Sequence, residues 1–156
     1  MILLSLYQLI AAFQVWYAVG ETLITPEYIK KICDRFQIQP NLLDTIPTNI
    51  IEVKFSDKVT VEFGNAIDER DCQEEPKVSW PIESNQTYYT LIMTGFHRYT
   101  FIVFKQPEAE KLSFDEPKLN YSEYGRAHFN TRKFAKKYNL GDPEALNFFL
   151  AESHLG

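Results

Sequence analysis

The chain has 156 residues, a net charge of −5 and a pI near 5.2. That length suits one domain with one real core, and 45% hydrophobic with 24% charged residues excludes a mainly disordered or low-complexity chain. The acidic balance excludes a binder of nucleic-acid backbones, which needs a basic surface, while 15% aromatic residues favour strands.

Met1 to Gly20 carry no charged side chain. Ile2, Leu3, Leu4, Leu6, Leu9, Ile10, Ala11, Ala12 and Phe13 form an apolar run interrupted by Ser5 and Gln8. Ala18-Val19-Gly20 supplies small residues where a signal peptidase reads them. The expectation is a signal peptide over 1–20 with Glu21 as the mature N-terminus, hence a secreted, extracellular protein. One feature of such a leader is missing, since no Lys or Arg precedes the run; the alternatives are an uncut membrane anchor and a buried N-terminal helix. No later segment is apolar and long enough to span a bilayer.

Thr25 and Pro26 open a helix as N-cap and first helical residue, and Ile29, Ile32, Cys33 and Phe36 follow at helical spacing. Pro40 and Pro47 punctuate a loop. Ile51, Val53 and Phe55 alternate with Glu52 and Lys54. Across the turn Ser56-Asp57-Lys58, the alternation Val59, Val61, Phe63 completes a hairpin. Asp68 to Glu75 reads as a charged exposed loop, and Val78 to Trp80 as a short strand. Thr87–Met93 and Arg98–Lys105 are strands rich in β-branched and aromatic residues. Pro107 to Asn130 reads as loop, Thr131 to Tyr138 as helix, and Asp142-Pro143 as the cap of a last short helix carrying Ala145, Leu146, Phe149 and Leu150. A mainly β domain with a few helices follows.

In a secreted chain, Asn85-Gln86-Thr87 and Asn120-Tyr121-Ser122 are glycosylation acceptors at Asn85 and Asn120. Cys33 and Cys72, the two cysteines, could form one disulfide there, worth roughly 3–4 kcal/mol by loop closure. Two free, partly buried thiols are the alternative, and their separation fits no metal motif.

The block Gly95-Phe96-His97-Arg98-Tyr99-Thr100-Phe101-Ile102-Val103-Phe104-Lys105-Gln106 resembles the phosphatidylethanolamine-binding protein family, which has a similar His-Arg-Tyr stretch, apolar strand and Gln. The similarity extends to Val61–Asn65, Pro76–Trp80 and Tyr89–Thr94 upstream, and to Phe114–Pro117 and Arg132–Gly141 downstream. The resemblance implies a Greek-key β-sandwich with small flanking helices, and secreted members exist. The sequence departs from the family after Thr94, where a stretch holding an Asp, a His and a Gly-Pro-Pro loop is absent. The C-terminus also stops short of the family's final helix, and Ile67 to Cys72 lacks the Leu-Thr-Pro-Thr-Gln pattern. The expectation is a domain over 21–156, internally shortened after Thr94 and incomplete. A shortened isoform, a divergent member and an imperfect gene sequence all stay open.

The resemblance implies a small cavity that takes a phosphate or carboxylate through His, Tyr and backbone donors. Of those side chains, His97 and Tyr99 carry over. Two apart on a strand, they should point to one face, with Arg98 structural on the other. A plain buried sheet face is the bland reading, since a working pocket needs several convergent polar groups. His128 and His154 read as exposed. Arg132, Lys133, Lys136 and Lys137 form a basic helix face, and Asp68, Glu69, Asp71, Glu74 and Glu75 lack a calcium-loop order. No catalytic motif stands out and no cofactor is expected. The function expected is a secreted, non-enzymatic binding protein for small anionic or phospholipid head-group ligands, with weakened binding. The alternatives are a protein-interaction module of the kinase- or protease-inhibitor type, or a shortened product without a function of its own. Strands stripped of neighbours should expose edges and apolar faces, lowering stability and favouring association.

Overall fold

A computed structural model describes residues 17–19, 22–95, 97–107, 111–116 and 129–152. Helix α1 spans Pro26–Arg35, with the Thr25 side chain accepting a hydrogen bond from Tyr28 N–H at 3.1 Å. Its apolar spacing buries Ile29 and Cys33. Helix α2 spans Thr131–Lys137, capped by Asn130, which accepts from Lys133 N–H at 2.9 Å. Both helices start where a capping side chain meets an orphan N–H.

The strands in chain order are β1 (Tyr17–Val19), β2 (Thr22–Ile24), β3 (Asn49–Ile50), β4 (Glu52–Ser56), β5 (Val59–Thr60), β6 (Ala66–Asp68), β7 (Lys77–Ser79), β8 (Tyr89–Thr94), β9 (Arg98–Lys105) and β10 (Pro143–Glu152). The principal sheet runs β3-β10-β9-β8, with β6 also on β10. A smaller sheet orders β5-β4-β7, and β1 pairs with β2. The β4–β5 hairpin forms where alternation places it, with β5 ending at Thr60 and not Phe63, and the strand at 98–105 forms where β-branched and aromatic residues concentrate. Cleavage after Gly20 would separate β1 from β2; residues 1–16 of the expected leader lie outside the described residues.

Two expectations give way. The segment Ala145 to Leu150 is the strand β10, with no helix over 143–152. It pairs antiparallel with β9 over seven positions and parallel with β3 and β6. Ala145 to Phe149 are all buried, so the apolar run marks a strand covered on both faces, which carries no alternation to distinguish it from a helix. The charged stretch 68–75 is also more ordered than a loop: β6 leads into a 3₁₀ turn over Glu69–Cys72, whose start is capped by Asp68 Oδ1 accepting from Arg70 N–H at 2.9 Å.

The sheet sorts the core into two layers. Ile102, Phe104, Leu146 and Phe148 face α1 and α2, together with Ile29, Cys33 and Leu140. Phe101, Val103, Ala145 and Phe149 face the smaller sheet, together with Val53 and Val61. Period-two alternation along β9 and β10 produces this division. Each fully buried Phe contributes roughly 1.5–3 kcal/mol by area.

Candidate functional site

β8 and β9 are joined directly through 95–97 and pair antiparallel from Thr94 with Thr100 to Tyr89 with Lys105. Gly95 sits at φ +122°, and a Cβ there would lie 1.7 Å from the Arg98 carbonyl. The turn therefore requires glycine. His97 follows at φ +61°, ahead of the first β9 residue.

That backbone separates the two residues expected on one strand face. His97 belongs to the turn and is exposed, so the two-residue spacing does not align it with Tyr99. Its carbonyl accepts from Ala151 N–H at 2.6 Å, tying the turn to the end of β10. Tyr99 is half-buried and stacks on Phe149, with ring centroids 5.3 Å apart and planes at 25°. Arg98 does turn to the other face, where its guanidinium donates to the Phe36 carbonyl at the end of α1. Burial holds the Arg98 pKa below its ordinary value.

Among the described residues, cavities open on two sides of this hairpin and share Met93 and Tyr99. The first holds about 420 Å³ between β8 and an aromatic wall. Its strand side is Thr90, Leu91, Ile92, Met93 and Thr94; its wall is Phe114, Phe129 and Phe134. Phe114 and Phe129 each lie 5.4 Å from the Phe134 ring, and Tyr138 packs edge-on against Phe114 at 4.8 Å. Helix α2 carries Phe134, and paired side chains hold the preceding segment to the helix. Lys137 Nζ donates to Asp115 at 2.6 Å and to Glu116 at 2.7 Å, and the Tyr138 hydroxyl donates to Asp115. Lys137 and Tyr138 hold the Asp115 carboxyl below its usual range. Glu116 is the one charged side chain lining this cavity among the described residues.

The second cavity, about 300 Å³, is lined by Glu69, Cys72, Gln73, Met93, Tyr99, Phe149 and Ala151. Neither lining includes a Lys, Arg or His among the described residues. An anion in either would meet a carboxylate and find no cationic side chain, which disfavours its desolvation.

Cys33 and Cys72 are free thiols here. They sit on opposite layers: Cys33 fully buried on the inner face of α1, Cys72 half-buried in the 3₁₀ turn beside the other layer. The expected bridge is not formed, because the principal sheet lies between the two clusters. Burial, reinforced by Asp34, pushes the Cys33 thiol up to about 12, and burial with Asp71 raises Cys72 to about 11. Asn85 is exposed in a turn where Ser84 and Thr87 hydroxyls meet at 3.0 Å. Asn120, His128 and His154 lie outside the described residues. No group of metal-ligating side chains occurs among the described residues.

No family model matches the chain. It is 22% identical over 79% of its length to a candidate odorant-binding protein A5 of Drosophila melanogaster, covering 80% of that protein. It is 26% identical over 74% of its length to a 26 kDa secreted antigen of Toxocara canis, but spans only 61% of that relative. A shorter stretch, 37% of the chain and 29% of the relative, is 41% identical to the protein TERMINAL FLOWER 1 of Arabidopsis thaliana. Among solved structures, a phosphatidylethanolamine-binding protein from Plasmodium vivax superposes with a TM-score of 0.63 at 12% identity, over 79% of this chain and 96% of that one. The chain has the phosphatidylethanolamine-binding-protein fold. A carboxypeptidase Y inhibitor, solved in complex with its cognate proteinase, shares this fold with a TM-score of 0.66 at 18% identity, over 82% of this chain and 96% of the inhibitor. The resemblance carried by the His97–Gln106 block and its flanking motifs agrees with these neighbours. Sequence reasoning passed over the aromatic wall because Phe114 and Phe129 stand alone among polar neighbours.

Proposed function

We propose that the chain is a secreted, non-enzymatic binding protein for a small, largely apolar ligand seated between β8 and the Phe114, Phe129 and Phe134 wall. The cavity carries this reading: its volume is that of a small-molecule site, its lining is mostly apolar, and Thr94 and Tyr99 add hydroxyl-bearing side chains to that lining. The names of the odorant-binding and secreted-antigen relatives support binding and an extracellular setting. The leader over 1–20 and glycosylation at Asn85 and Asn120 belong to the same reading. No described helix is long and apolar enough to cross a membrane. A ligand whose recognised part is anionic, such as a bare phospholipid head group at His97 and Tyr99, is disfavoured by linings that, among the described residues, offer carboxylates and no cationic side chain.

Titration with 1-aminoanthracene, a neutral aromatic fluorophore, tests this. Saturable one-to-one binding is expected, weakened about tenfold in Phe114→Ala, as loss of one ring contact implies. Phosphoethanolamine should not displace the probe. No saturable binding would overturn the reading, and displacement by phosphoethanolamine would restore the anionic ligand. The inhibitor of the same fold, solved with its proteinase, supports a second reading as a protein-interaction module. A partner that copurifies stoichiometrically and survives Phe114→Ala would favour it.

A further inference from the structure

Glu116 is the one charged side chain lining the aromatic-walled cavity among the described residues, and 39% of that side chain is exposed. Its charge is only partly offset. Lys137 Nζ divides itself between Asp115 at 2.6 Å and Glu116 at 2.7 Å, so two carboxylates share one ammonium. The Tyr138 hydroxyl adds a hydrogen bond to Asp115 but no charge. This cluster keeps one net negative charge, and Glu116 brings it to the cavity wall. Lys137 is not part of the lining.

Two further features of the same cavity suit a cation. Around Phe134, the Phe114 ring lies 5.4 Å away with planes 32° apart, and the Phe129 ring lies 5.4 Å away at 49°. Aromatic faces attract an ammonium held within about 6 Å of a ring centroid. The adjoining ring already does so, since Lys137 Nζ lies 5.0 Å from the Tyr138 centroid. The other feature is backbone. Gln106 N–H donates to the Tyr88 carbonyl at 2.9 Å, which sets the phase of the β8–β9 ladder. Hydrogen-bonded pairs alternate along antiparallel strands. Thr90, Ile92 and Thr94 therefore turn their backbone groups to β9, and Leu91 and Met93, which both line the cavity, turn theirs away from it. Their carbonyls are acceptors for ammonium N–H groups that one carboxylate does not use. Their N–H groups would suit an anion, but the carboxylate beside them decides the sign.

We propose, building on the reading of this cavity as a small-molecule site, that its ligand is an apolar primary amine bound as the ammonium ion. The ammonium sits at Glu116 and the edge of β8, and the carbon body lies along Phe114, Phe129 and Phe134. An ammonium leaves water at a cost, and here a carboxylate, edge carbonyls and aromatic rings replace the lost hydration. A neutral ligand of the same shape gains the ring contacts alone. An anionic one meets Glu116 with like charge.

Isothermal titration calorimetry with compounds of one shape tests the proposal: 1-naphthylmethylamine, protonated at neutral pH, 1-naphthylmethanol and 1-naphthoate. The amine should bind about tenfold more tightly than the alcohol, as one charge-assisted contact implies, and the carboxylate more weakly than either. The advantage of the amine should shrink as salt rises, because Glu116 is partly exposed. In Glu116→Gln, with the far-UV spectrum unchanged, amine and alcohol should bind alike. Equal affinity for the two in the unaltered chain, an advantage indifferent to salt, or one that survives Glu116→Gln would overturn the proposal. Any of these results alongside saturable binding of 1-aminoanthracene would leave the apolar-ligand reading standing, whereas no binding by any of the compounds would overturn both.

Discussion

Asn147 lies at the centre of β10 with 2% of its surface exposed, and its amide satisfies backbone groups of two other segments as well as of its own strand. Its Nδ2 donates to the carbonyls of Ile51 at 2.7 Å and Val61 at 3.0 Å. Its Oδ1 accepts from Phe63 N–H at 3.0 Å and from its own neighbour Phe148 N–H at 2.8 Å. One side chain thus fastens the loop after β5 to the central strand. Replacing it with an isosteric apolar residue would leave at least two buried backbone groups unpaired, each costing about 1–3 kcal/mol. Asn147→Leu is expected to lose roughly 3 kcal/mol of unfolding free energy in urea, whereas Tyr99→Phe, which keeps the stack on Phe149, should lose under about 1 kcal/mol. Equal losses in the two variants would show that the amide network does not hold the loop.

At the scale of the element, the β8–β9 hairpin depends on Gly95. An alanine there meets the Arg98 carbonyl and must also adopt a left-handed conformation. At Gly141, with φ +71° and nothing within 4 Å, only the conformational cost applies. Gly95→Ala should therefore lower the urea midpoint more than Gly141→Ala, the latter costing about 1–2 kcal/mol. Matching losses would mean that the hairpin turn relaxes freely. The hairpin strands, α1 with its Thr25 cap and α2 were legible because local signals act where tertiary burial agrees with them. β10 was not legible, since a strand covered on both faces shows no period and Asp142-Pro143 imitates a helix start. Likewise His97 and Tyr99 were read as one face because the positive φ at His97, forced by the turn, leaves no mark in residue spacing. The aromatic wall brings Phe114, Phe129 and Phe134 together from separate segments, an assembly that only packing creates.

For the whole molecule, β9 and β10 are the shared floor of both core layers. Phe148 packs edge-on against Phe36 at 5.1 Å and Phe63 at 5.8 Å on one side, while Phe149 meets Phe55 at 5.7 Å and Tyr99 at 5.3 Å on the other. Neither layer can lose its packing while the other keeps an intact sheet. The helices on one side and the smaller sheet on the other should therefore unfold together. Trp80, whose ring lies 5.8 Å from Tyr89 in the smaller-sheet layer, reports that side. Far-UV circular dichroism reports the helices. In the chain from Glu21, where Trp80 is the one tryptophan, the two signals should give one urea midpoint. Phe148→Leu and Phe149→Leu should each shift both signals together by roughly 1 kcal/mol. A fluorescence transition that precedes the helical one, or a Phe149→Leu shift seen by Trp80 alone, would mean that the two layers are separate cooperative units. The sheet would then be a hinge between them and not their common floor.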